Sequence, residues 1–145
     1  MFNKPTFVKL NTGWNAEPNA PFPEVIIDSG SIQLRFYLNP WIHVARPGQK
    51  GTITFVNCSR WRLGLTNDEG WYRGQCRYSR VAPEWGHFYE LIGDDDCCDD
   101  PQDWISHHSP NAGQRHFLFY FRDETFECFC ADWRYQADRV SAGPP

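Results

Sequence analysis

His116-Phe-Leu-Phe-Tyr-Phe-Arg-Asp-Glu-Thr-Phe-Glu-Cys-Phe-Cys130 is the stretch that decides the fold. Side chains alternate across a strand, so Phe117, Phe119 and Phe121 share one face, and Leu118 and Tyr120 share the other. Asp123-Glu124 supply a tight turn. On the return, Phe126, Cys128 and Cys130 share a face opposite Glu127 and Phe129. A hairpin apolar on both faces does not belong at a solvent-washed edge. The pattern predicts the central pair of a sandwich or closed barrel, covered by protein on either side.

Working upstream, Glu24–Asp28 and Ser31–Leu38 flank Ser29-Gly30, a two-residue hairpin signal. Ile32, Leu34, Phe36 and Leu38 alternate with Gln33, Arg35 and Tyr37, which marks a half-buried strand. Gly51–Asn57 repeats the pattern with Ile53 and Phe55. Trp61–Thr66 is a short apolar run ending at a turn, Asn67-Asp-Glu-Gly70. Trp85–Ile92 reads as a strand closed by Gly93 and an aspartate run. The best helix signal is Asp100–Ser106. There Asp100 caps, Pro101 suits the first helical position and Asp103 suits the positive end of the dipole, for one or two turns. Ala131–Val140 reads as either a final edge strand or a short helix.

The expected fold is all-β and mainly antiparallel. It is a single domain over residues 1–145, built as a β-sandwich or closed barrel with at most one or two short helices. Residues 1–23 read as an irregular N-terminal arm, because Trp14–Pro23 hold three prolines and two asparagines. Residues 141–145 read as a disordered tail.

Composition narrows the class. Aromatic residues make up 17% of the chain (11 Phe, 7 Trp, 6 Tyr), so the core is expected to be built from rings. The net charge of −4 argues against nucleic-acid binding, which needs a basic surface. No apolar run approaches the ~18 residues of a membrane span. The first residues lack the apolar region of a secretory signal, so the chain reads as cytoplasmic, with its six cysteines reduced.

Charge is segregated. Arg60, Arg62, Arg73, Arg77 and Arg80 fall in one stretch, and Asp94, Asp95, Asp96, Asp99, Asp100 and Asp103 in another. These two regions either face each other or each face a partner. The first stretch also carries Trp and Tyr, the residue types that dominate binding hot spots. It supplies the candidate binding set: Arg62, Asn67, Asp68, Trp71, Tyr72, Arg73 and Gln75. The aspartate run reads as a solvated loop, since it lacks the alternating ligands and central glycine of a calcium loop.

Adjacent Cys97 and Cys98, with Cys128 and Cys130, are the available soft-metal ligands, and His107, His108 and His116 are near them in sequence. No pair of CxxC elements forces them to converge, so neither metal nor cofactor is expected. Carboxylates beside Cys97 and Cys98 are expected to raise their thiol pKa values. Arg122-Asp123-Glu124 with Glu90 and His87 could serve acid–base chemistry, but Glu90 and His87 fall on opposite faces of one strand. No catalytic residue is assigned.

Three function classes follow. The first is a non-catalytic protein-interaction domain, of the bacterial accessory or immunity type, with a protein partner. The second is a small-ligand or sugar binder using aromatic side chains, with Trp41, Trp61, Trp71 and Trp85 as platform candidates. The third is a hydrolase using His and Asp/Glu. It requires His87, His107, His108 or His116 to come within ~3.2 Å of a carboxylate in a cleft.

Overall fold

A computed structural model describes residues 4–65, 68–79, 81–109 and 113–139. Among the described residues ten strands form two sheets: β1 Thr6–Lys9, β2 Glu24–Asp28, β3 Ser31–Tyr37, β4 Lys50–Val56, β5 Arg60–Gly64, β6 Phe88–Ile92, β7 Ile105–Ser106, β8 Arg115–Tyr120, β9 Thr125–Cys130 and β10 Asp132–Ala137. The helix among the described residues, α1, is short and covers Asp68–Tyr72. The six-stranded sheet runs β1-β6-β8-β9-β5-β7, and the four-stranded sheet β10-β4-β3-β2. Every pairing is antiparallel.

The Phe-rich hairpin is the middle of the larger sheet, with β8 paired to β9 and each flanked by another strand. One face meets the smaller sheet. Phe36 of β3 lies 5.1 Å, ring to ring, from Phe119, and Phe55 of β4 lies 5.3 Å from Phe126. Ile32, Leu34, Ile53, Phe88, Phe117 and Cys128 complete that core. On the opposite face Leu118 and Tyr120 join Trp71, Tyr78, Ala82, Tyr89 and Leu91 in a second cluster. The chain between β5 and β7 supplies much of that cover. Both faces of the hairpin are therefore dry, as its sequence demands.

The two sheets pack as a sandwich, and among the described residues no closed barrel forms. Ser29 and Gly30 take φ of 30° and 83°, the left-handed pair that a two-residue hairpin needs, and Asp28 pairs with Ser31 across them. The segment after Ala131 resolves as strand β10 at the edge of the smaller sheet.

Four expectations change. Asp100–Ser106 is not helical. Arg60 stacks on Trp104 at 4.3 Å, and Ile105 and Ser106 pair with Trp61 and Arg60 as β7, so tertiary contacts outweigh a short capping signal. The strand expected from Trp85 begins only at Phe88, after Gly86 turns the chain at φ of 86°. Asp68–Gly70 opens α1 rather than a turn. The N-terminal arm holds strand β1, which pairs with β6. Asn67 and the tail 141–145 lie outside the described residues.

Candidate functional site: a cavity over a buried carboxylate

The feature that stands out chemically is Glu127, a carboxylate on the central strand β9 with 0% exposure. A buried charge is costly unless paired and hydrogen-bonded. Its partners come from three directions. Arg62 sits directly across on β5 and reaches Oε1 from Nη1 at 3.2 Å. Arg77, from the chain after α1, donates Nη2–H to the same oxygen. His116, on β8, donates Nε2–H to Oε2 at 2.6 Å, its ring stacked on Phe129 at 4.3 Å. An acceptor-only carboxylate requires that imidazole nitrogen to carry the proton.

Arg62 is held on its other side as well. Nε and Nη2 meet Asp103 Oδ1 and Oδ2 at 2.7 and 3.2 Å, a two-pronged grip. Gly64 permits this pose: a Cβ there would lie 2.2 Å from Arg62 Nη2. The segregated charges thus face each other, with Arg60 on Asp99 at 2.9 Å, Arg62 on Asp103 and the Tyr78 hydroxyl on Asp95. These contacts fasten the loop layer to the outer face of the sheet.

The electrostatics follow. Burial alone would push the Glu127 carboxyl up, but the His116 hydrogen bond and the Arg77 and Arg62 charges outweigh it and hold it below its ordinary value. The Arg62 grip likewise holds Asp103 down. Burial pushes the Tyr78 and Tyr120 hydroxyls well up, so both stay protonated.

Over this cluster lies a cavity of about 190 Å³. Its polar wall is Arg62, Arg77, Tyr78, Thr125 and Glu127. Leu118, Tyr120 and Pro101 supply apolar wall, and Asp100 is also part of the lining. Both Glu127 oxygens are consumed by cations and imidazole, so the carboxylate is a poor base. Two buried polar atoms of lining residues remain unsatisfied among the described residues, Arg77 Nη1 and the Tyr120 hydroxyl. The Trp71 indole N–H lies near that hydroxyl but outside hydrogen-bond geometry.

The expected binding set divides. Arg62 lines the cavity. Trp71 does not line it and is buried against Trp85 and Tyr120. Tyr72, Arg73 and Gln75 point outward, with Arg73 bound to Glu69 at 2.8 Å. Asn67 and the side chain of Asp68 are outside the described residues. Of the tryptophan platform candidates, Trp41 is 67% exposed, Trp61 packs against the inter-sheet core, and Trp71 and Trp85 belong to the outer cluster.

The cysteines divide between the two sides of the larger sheet. Cys58, Cys128 and Cys130 are buried in the inter-sheet core, while Cys97 packs on the other side of the larger sheet. Burial drives the Cys128 thiol well up, with help from Cys130 and Cys58. Burial and neighbouring aspartates also raise Cys97 and Cys98. Among the described residues no group of three or more His, Cys, Asp or Glu could hold a metal ion.

The other acid–base candidates are dispersed. Glu90 takes a two-pronged grip from Arg115, with both contacts at 2.8 Å. His87 meets Glu84 at 3.2 Å and Asn11 at 3.2 Å. His107 Nε2 accepts the Trp61 indole N–H at 2.9 Å. Glu127 and Tyr120 are site residues that the sequence pattern did not mark as binding residues, and Arg77 stood out only as one member of the Arg-, Trp- and Tyr-rich stretch. The available signal was a lone carboxylate inside a strand apolar on both faces, which obliges buried partners.

Comparison of the chain with protein-family models, with curated proteins and with solved structures finds no match. Among the described residues no helix is long and apolar enough to cross a membrane.

Proposed function

We propose that this sandwich is a non-catalytic binding domain that takes a compact, neutral, hydroxyl- or carbonyl-bearing molecule into the cavity over Glu127. The observation that carries the reading is the pair of unsatisfied buried atoms on two lining residues, Arg77 Nη1 and the Tyr120 hydroxyl. A buried polar group left unpaired costs about 1–3 kcal/mol, and a ligand acceptor meeting both would remove that penalty.

Charge selects the class of ligand. Arg62 and Arg77 are balanced against Glu127, Asp103 and Asp100, so the site has no spare positive charge for a bare anion. Size selects it too. A cavity of 190 Å³ is below the ~300–1,000 Å³ of drug-sized pockets and holds roughly six water volumes. A single small ring or short polyol suits it, with the Tyr78 and Tyr120 rings as walls. A hydrolytic role is disfavoured because the carboxylate nearest a histidine already has both oxygens engaged.

The test is a titration followed by tryptophan fluorescence, since Trp71 and Trp85 adjoin Tyr120. The probes are neutral monosaccharides, polyols and small amides, with acetate and phosphate as anionic counter-probes. Saturable change with a neutral probe and none with the anions is expected. Saturation by the anions alone would overturn the reading.

A further inference from the structure

The outer edge of the smaller sheet is open. Among the described residues no strand pairs with β2 on the side away from β3. Its sequence is Glu24-Val-Ile-Ile-Asp28, an apolar centre with a carboxylate at each end. Ile26 is 39% and Ile27 58% exposed. A flat, apolar, unpaired edge is a template for another strand.

The hairpin fixes which groups are on offer. The two-residue turn makes Asp28–Ser31 a hydrogen-bonded pair, so Ile26–Gln33 and Glu24–Arg35 are hydrogen-bonded as well. Val25 and Ile27 therefore aim their N–H and C=O groups outward. Their side chains face the space between the sheets, where Ile27 lines a cleft of about 240 Å³ with Ile32, Cys58, His107 and His108. Glu24, Ile26 and Asp28 face the other way. The edge thus offers main-chain bonds and a pocket for one side chain of an incoming strand, the two ingredients of strand addition.

A second copy of the chain is a poor occupant. Antiparallel self-pairing centred on Ile26 keeps the full overlap, but sets Glu24 opposite Asp28 twice. Both are then non-hydrogen-bonded pairs, where side chains come closest, and like charges there repel. Asp28 has no ion pair among the described residues, and Glu24 has only Lys50 at 3.7 Å with its side chain 52% exposed. The charge complement is a cation opposite each.

We propose that the β2 edge accepts an extended segment of a partner protein as a fifth strand, with a Lys or Arg opposite Glu24 and opposite Asp28, and an apolar side chain entering the cleft beside Ile27. The surface is independent of the cavity over Glu127.

The experiment is fluorescence anisotropy on the full chain with two labelled peptides, Thr-Lys-Leu-Val-Leu-Lys-Thr and Thr-Glu-Leu-Val-Leu-Glu-Thr. The native chain is expected to prefer the basic peptide about tenfold. The double variant E24K/D28K is expected to reverse the preference. I27P removes one outward N–H and no bond to β3, and is expected to weaken binding of the basic peptide at least fivefold. If neither peptide binds the native chain, or if E24K/D28K leaves the preference unchanged, the proposal is wrong. A native dimer in sedimentation that I27P abolishes would also overturn it, by assigning the edge to a second copy.

Discussion

Arg62 and Glu127 face each other across the β5–β9 ladder, and Arg62 Nη1 reaches Glu127 Oε1 at 3.2 Å. The same guanidinium grips Asp103 from its other edge. One arginine thereby joins the middle of the larger sheet to the loop layer lying over it. Arg77 approaches Glu127 from within that layer. The loop that forms the cavity wall is positioned by the charge that it covers.

Removing the carboxylate should therefore be expensive. Glu127→Gln leaves Arg62 and Arg77 buried with a partner that no longer balances them. A loss of about 3–5 kcal/mol is expected in urea unfolding. A loss under about 1 kcal/mol would show that the cluster is not the fastening point.

Acid should act through the same group. The folded pKa values of Glu127 and Asp103 are both depressed. The folded state therefore binds fewer protons than the unfolded one in this range. Their contribution is present above the unfolded values of about 4 and is lost as pH falls through the folded values. Thermal unfolding followed from pH 7 to pH 3 should show Tm dropping below about pH 5, with a shallower drop in Glu127→Gln. An equal slope in that variant would assign the acid sensitivity elsewhere.

Gly64 tests the pose of Arg62 without removing a charge. Gly64→Ala places a methyl 2.2 Å from where Arg62 Nη2 now lies. The guanidinium must move off Asp103 or Glu127, at an expected cost of about 1–3 kcal/mol in denaturant unfolding. A neutral result would mean that the arginine shifts freely.

The thiols offer a test of the core. Cys58, Cys128 and Cys130 are buried between the sheets, and burial raises Cys128 well above its ordinary value. In the folded chain these three should not react with a thiol reagent such as DTNB at pH 8, and should become reactive at the rate of unfolding. Prompt reaction of all six cysteines in native buffer would contradict the packing described.

The hairpin was legible because a period of two with rings on both faces has one physical solution. The same holds for Ile32, Leu34 and Phe36, and for the Ser29-Gly30 turn. What stayed hidden is non-local. Arg77 lies fifty residues from Glu127 along the chain, and nothing in its neighbours marks it as inward. Arg62 stands out in the sequence by residue type alone, and its register opposite Glu127 is set only when β5 pairs with β9. Trp71 and Tyr72 are adjacent, yet α1 turns the first into the core and leaves the second 71% exposed, a division that residue type alone does not make. The capping signal at Asp100 does not yield a helix because the six residues after it have a strand edge and an arginine stack to join.

The central claim is that the unsatisfied groups over Glu127 are there for a ligand, and the Tyr120 hydroxyl tests it most directly. Because that buried hydroxyl has no hydrogen-bond partner among the described residues, Tyr120→Phe removes an unpaired polar group and should raise the stability of the unliganded chain by about 1–3 kcal/mol. Calorimetric titration of both chains with the neutral probe that the native chain holds tightest should give saturable one-site binding to the native chain and at least tenfold weaker binding to Tyr120→Phe. Equal affinity in the two chains, or no saturable binding by any neutral probe, would contradict it.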